Sequence, residues 1–169
     1  RVNSDDLKSR KDDYENLGSI ASEGGAPPIT LDDADIRDKE LDEIRAALAK
    51  KELDKAEKLS VEAFKKAPKD YSTVTVRAEV LAETGKPAEA AAMLKKLKAS
   101  QPASAGVFAA DIDLADALHD SGSVDEARKL YQSIASDSRY PDSDRKDAKK
   151  ALENQKVDDL LAEADKAMD

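Results

Sequence analysis

Few residues in this chain are of types that do chemistry, and their spacing decides against most of it. His119 is the only histidine. It could act as a general base, but the chain has no Cys, and no motif marks a Ser as its partner. A catalytic role needs a positioned constellation, so His119 reads as a surface helix residue beside Asp120. The acidic pairs Asp5-Asp6, Asp12-Asp13, Asp32-Asp33 and Asp158-Asp159 raise the possibility of a hard metal ion. Adjacent residues point to different sides of a helix, and none has the Ca²⁺-loop spacing with its Gly and closing Glu. They read as solvated helix ends. Gly24-Gly25 lacks the strand–Gly–helix context of a phosphate loop. The expectation is a protein with no catalytic residue, no metal and no cofactor.

Composition narrows the function classes further. The net charge is −9 over 169 residues. Residues 1–35 carry nine acids against four bases, and the rest carries 28 against 24. The long second part is thus heavily charged but nearly balanced, as solvated helix faces are. No basic footprint for nucleic acid is present, and an acidic surface is repelled by anionic lipid. No apolar run approaches the roughly 20 residues that span a bilayer, so no membrane insertion by this segment is expected. A cysteine-free chain is compatible with the cytoplasm and equally with a periplasmic or envelope compartment. The chain begins at Arg1 rather than Met, which reads as a fragment or a processed product. Aromatics are only 4% and Trp is absent. That suits a stack of Ala- and Leu-rich helices better than one globule around a bulky core.

The elements that would position these residues follow from a repeating spacing. Gly85 is followed by Ala90, Leu94, Leu97 and Pro102, and Gly122 by Ala127, Tyr131 and Ile134 at the same first three intervals. Lys51, Ala56, Ala63 and Pro68 echo the frame. Ala56 to Ala90 is 34 residues, Pro68 to Pro102 is 34 again, and Ala90 to Ala127 is 37. A period in this range marks stacked helical hairpins. Residues 1–29 read as a mostly disordered acidic tail, with a short helix capped at Ser4-Asp5-Asp6 and a flexible linker from Gly18 to Pro28. The domain is expected over 30–169, with hairpins at about 34–68, 71–102 and 107–139 and a capping helix at about 142–168. Thr73, Val74, Thr75 and Val76 would tolerate a strand, but the frame of Ala78, Leu81 and Gly85 favours helix. Gly85 and Gly122 can close helices in the left-handed conformation, Pro87 suits a first helical turn, and Ser123 with Glu126 forms a capping box. Three residues, Ala105 to Val107, are extra relative to the period and lengthen the second inter-hairpin connection.

These offsets resemble the tetratricopeptide repeat. The second hairpin has Ala78, Gly85, Ala90, Leu94 and Pro102 in the family's positions, with Leu97 in place of Ala. The third has Leu114-Ala115, Gly122, Ala127 and Tyr131, with Ile134 for Ala and Arg139 for Pro. The first keeps Ala56, Ala63 and Pro68 but has Ile44, Lys51 and Ser60 where the pattern has a small residue, Gly and an aromatic. The resemblance covers about residues 34–141. It implies an all-α fold: a right-handed superhelical stack of three hairpins plus a C-terminal capping helix. Close packing explains the small residues. A large side chain at Ala90 or Ala127 would force two crossing helices apart, at a cost of roughly 1–3 kcal/mol.

The resemblance also implies where a partner binds. The first helix of each hairpin would line a concave groove with Leu41, Arg45 and Leu48, then Thr75, Glu79 and Glu83, then Ile112, Asp116, His119 and Asp120. This set is mixed apolar and acidic. Family members that clamp a C-terminal carboxylate use Lys and Asn here, which this chain lacks apart from the basic Arg45. A basic or amphipathic segment of another protein fits better by charge. The leading expectation is a non-enzymatic scaffold or adaptor that binds a protein or peptide and no nucleic acid. Two alternatives stand beside it: an N-terminal or accessory domain of a bacterial envelope assembly (pilus, secretion or outer-membrane channel), and the regulatory docking domain of an enzyme whose catalytic part is elsewhere.

Overall fold

Seven helices make up the secondary structure of the described residues: α1 (Leu31–Ala49), α2 (Leu53–Lys66), α3 (Tyr71–Glu83), α4 (Pro87–Ser100), α5 (Asp111–Asp120), α6 (Val124–Ser136) and α7 (Asp142–Met168). The computed structural model describes residues 31–102 and 106–168, with side chains from Ile36 onward. The expected tail at 1–29, its short helix, its linker and Ala105 lie outside the described residues. Lys39–Asp169 forms one compact unit. Within it, consecutive helices pack as an all-α repeat stack, α2 on α3, α3 on α4 and so on to α6 on α7.

Three turns explain why the chain folds back where it does. Gly85 and Gly122 take φ of +78° and +87°. Gly85 donates to the Ala82 carbonyl and Lys86 to the Leu81 carbonyl, at 3.2 and 2.8 Å. Gly122 and Ser123 do the same to His119 and Leu118, at 3.0 and 2.8 Å. This closes the last carbonyls of α3 and α5. Lys51, where the pattern departs from Gly, adopts φ +59°. Lys51 donates to Leu48 and Glu52 to Ala47, both at 2.9 Å. The first hairpin therefore turns in the same way, with a lysine held where L-residues are strained.

Local capping settles the ambiguous segment and corrects another. Asp70 accepts from the Thr73 amide at 2.9 Å and from the Thr73 hydroxyl at 2.8 Å. That cap starts α3 as a helix, and Thr73, Val74 and Val76 are then buried within it. The capping box at Ser123 does not form, since Ser123 makes no side-chain cap bond. Glu126 instead pairs with Lys95 of α4 at 2.8 Å, because the preceding hairpin offers it a cation.

The core falls into two clusters that share α3. Leu41, Ile44, Ala47 and Leu48 of α1 pack with Ala56, Ala63, Val76 and Val80. Val74, Ala78 and Leu81 turn instead toward Ala90, Leu94, Leu114, Ala115, Ala127, Tyr131 and Ile134. Ala56, Ala115 and Ala127 are wholly buried, and Ala78 and Ala90 nearly so. Pro68 and Pro102, expected among the packing residues, are exposed. They stop helices without filling the core. Ser60 is also fully buried, in the position where the third hairpin has Tyr131. The missing bulk is supplied by Arg77 of α3, whose guanidinium donates to the Ser60 hydroxyl at 2.8 Å.

α7 runs unbroken and covers the stack with its first half only. Ala148 is buried, Ala151 and Leu152 pack on the core, and Gln155 is the last buried residue. Leu160 and Leu161 are 64% and 59% exposed. They lie past the part of α7 that packs on the core.

Candidate functional site

The first helices of the hairpins bring acidic residues together by the repeat period itself. Arg45 on α1, Glu79 on α3 and Asp113 on α5 stand 34 residues apart in turn. Asp144 on α7 follows 31 residues later, as Asp147 follows Asp116. The step that relates α3 to α5 is 37 residues, so Asp116 holds the place of Glu79, and Asp113 lies one turn before it on the same side of α5. The result is a row of acids with one arginine at its first end.

Their protonation equilibria report the crowding. Asp113 is pushed up from 3.8 to about 6, first by partial enclosure among the helices and then by the charges of Asp116, Glu79 and Asp144. Enclosure also raises Asp116, with Asp120 and Asp147 adding to it. The Tyr131 hydroxyl, donating to Asp116 at 2.5 Å, and the nearby His119 oppose that rise. Glu79 is raised by enclosure and by Glu83, against the pull of Arg45. Each case is a carboxylate that loses water and gains like-charged neighbours. The carboxylate ends still meet solvent, so the charges are available to a ligand.

The expected groove residues separate into two groups. Arg45, Glu79, Glu83, Asp116 and Asp120 are exposed, and Thr75, Ile112 and His119 are half-buried. Arg45 also bonds Asp42 at 3.2 Å, Glu83 bonds Lys51 at 3.0 Å, and His119 lies 3.3 Å from Asp120. The Thr75 hydroxyl is turned inward to the Ser72 carbonyl at 3.0 Å. Leu41 and Leu48 are a correction: they are 2% and 8% exposed and belong to the core. They share one side of α1 with Ile44, three and four residues away, and that side faces α2 and α3.

Asp113, Asp144 and Asp147 were not among the expected site residues. Asp113 was legible only through Asp116, which holds the place of Glu79 and stands one turn further along the same side of α5. Asp144 and Asp147 were harder to read, because the interval into α7 is shorter. Tyr131 was expected only to pack, and its hydroxyl also serves Asp116.

A cleft of about 370 Å³ opens beside this row, between α5, α6 and α7. Its walls include Asp116, His119, Asp120, Tyr131, Gln155 and Asp158. On the other side of α5, a cleft of about 480 Å³ has Leu114, Leu118 and Leu130 below a rim of Lys95, Lys98 and Lys129. Among the described residues, no three His, Asp or Glu side chains are placed to hold a metal ion. No helix among them is long and apolar enough to cross a membrane.

Residues 72–96 and 109–132 match the family model of the tetratricopeptide repeat. These segments span most of the α3–α4 and α5–α6 hairpins. No curated protein and no solved structure matches the chain.

Proposed function

We propose that this chain, which carries tetratricopeptide repeats, is a non-enzymatic interaction module that holds a basic or amphipathic segment of a partner protein along the acidic row of α3, α5 and α7. Repeats of this kind generally mediate protein–protein contacts, and such stacked arrays present extended surfaces. The observation that carries the choice of partner is Asp113, raised to about 6 by burial and by three acidic neighbours. A cationic partner relieves that repulsion, so binding to it is favoured by charge complementarity. Apolar contacts are confined to the half-buried Ile112, since Leu41 and Leu48 are taken up by the core.

Affinity capture with the full chain, beside a Glu79→Lys, Asp113→Lys, Asp116→Lys variant, tests this reading. The expected outcome is a partner with a basic segment, held by the wild type and released by the folded variant. Capture that survives the triple charge reversal would place the binding surface elsewhere. Added salt should weaken the contact, as screening weakens exposed charge pairs.

A further inference from the structure

The cleft between α5, α6 and α7 contains more than acidic residues. Gln155 is 4% exposed, the last buried residue of α7. Its Oε1 accepts from Arg128 Nε at 3.2 Å. That bond orients the amide and leaves Nε2, a donor of two protons, without a hydrogen-bond partner. A buried donor left unmade is unfavourable, so an acceptor supplied from outside would be held there. Arg128 is itself occupied, bonding Asp159 at 2.8 Å as well as Gln155, and so does not neutralise the cleft.

The remaining walls restrict what that acceptor can be. Asp116, Asp120 and Asp158 repel an anion, so a carboxylate or phosphate does not fit. Asp116 is engaged by the Tyr131 hydroxyl at 2.5 Å, which leaves Asp120 on α5, with one oxygen 3.3 Å from His119 Nδ1, and Asp158 on α7 to face a ligand. A bare cation would answer the two carboxylates and leave Gln155 unsatisfied. A ligand that answers both has a cationic group and a neutral carbonyl a few bonds away. A basic residue within a peptide is such a ligand, and the planar fork of arginine suits carboxylates on two different helices.

We propose that this cleft is a recognition pocket for one basic residue of the partner segment, its cation between Asp120 and Asp158 and its main-chain carbonyl on Gln155 Nε2. The proposal rests on the reading of the acidic row as a partner-binding surface. It adds a specific anchor beside that row, partly built by α7.

The test is an NMR titration of the full, ¹⁵N-labelled chain with the blocked pentapeptide acetyl-Ala-Ala-Arg-Ala-Ala-amide. The same peptide with norleucine in the centre, and putrescine, serve as comparisons. The expected result is a shift of the Gln155 side-chain amide together with Asp120 and Asp158, produced by the arginine peptide only. Asp158→Asn, at an exposed position, and Gln155→Met, which removes the amide donor without adding charge, should each weaken the peptide roughly tenfold. Putrescine binding as tightly as the peptide, or peptide affinity unchanged in both variants, overturns the pocket. Glu79→Lys lies outside the cleft and separates the two readings. If it abolishes partner capture while Asp158→Asn and Gln155→Met leave capture and peptide affinity intact, the acidic row stands and the pocket falls.

Discussion

The α2–α3 contact and the acidic row treat charge in opposite ways. Between α2 and α3, Glu57 receives both Arg77 nitrogens, at 2.9 and 3.1 Å, and Lys86 at 3.1 Å. Arg77 is only 11% exposed. Its hydrogen bond, helped by Lys86, pulls Glu57 from 4.5 down to about 2. Along the row, Asp113 is driven the other way, to about 6. Partial burial is common to both places, so the partners decide the sign. Where opposite charges are supplied from within, the cluster holds two helices together and no ligand is invited. Where like charges are gathered, the fold carries a strain that an outside cation can relieve. The first is a structural device in the hairpin that lacks an aromatic at Ser60, and the second has the character of a binding surface.

The largest expected effect comes from dismantling the matched cluster. Arg77→Ala should destabilise by about 3 kcal/mol, because Ser60 and Glu57 lose a buried donor and a cavity opens. Glu57 is depressed in the folded state, so its stabilisation is present above 4.5 and is lost as pH falls toward about 2. Denaturant unfolding at several acidic pH values should show that this dependence is much reduced in the variant. An unchanged profile would mean that Arg77 is not the controlling partner.

Disturbing the frame beneath the row ranks next. Ala127→Leu should cost about 2 kcal/mol by overpacking the α5–α6 crossing, and Glu89→Leu, at an exposed site, should cost little. Equal losses of melting temperature would show that the packing faces are misplaced.

Removing one of the crowded acids should act with the opposite sign. Asp113→Asn is expected to stabilise by about 1 kcal/mol at neutral pH, a figure kept small by solvent screening. The raised value means that ionisation of Asp113 disfavours the folded state increasingly as pH rises from 3.8 through about 6. The gain should therefore vanish near the lower end of that window. Thermal melts at both ends test it, and a variant less stable at neutral pH would remove the contrast between the two regions. The smallest effect concerns an exposed pair. Lys51 and Glu83 are 73% and 48% exposed, so their bond counts for little. Lys51→Gly relieves left-handed strain and should stabilise by about 0.5 kcal/mol. A loss measured by chemical denaturation would mean that the exposed bond outweighs the strain.

The regular parts of this molecule were legible because they depend on neighbours in the chain. Gly85, Gly122 and Pro87 state their roles through backbone geometry alone, and Ala90 and Ala127 through spacing. The misreadings came where a distant side chain took over. Glu126 left the capping box for Lys95. Ser60 departs from the pattern because Arg77, from another helix, occupies the space beside it. Leu41 and Leu48 were assigned to the groove by position in the repeat, whereas the apolar side of α1 decides that they are core.

Sequence alone thus determined the hairpin period, the turns and the small residues at the crossings, since helix geometry repeats every few residues wherever the chain lies. It also held the intervals of 34 and then 37 residues from Arg45 through Glu79 to Asp116, in which the acidic row is encoded. Tertiary structure decided the rest: that Asp113 is crowded while Glu57 is satisfied, and that the Gln155 amide is bonded on one side and free on the other. Those properties depend on which helices approach and how much water they exclude. Charge interactions and hydrogen bonds change over a few ångströms of separation between segments, and spacing along the chain does not specify those distances.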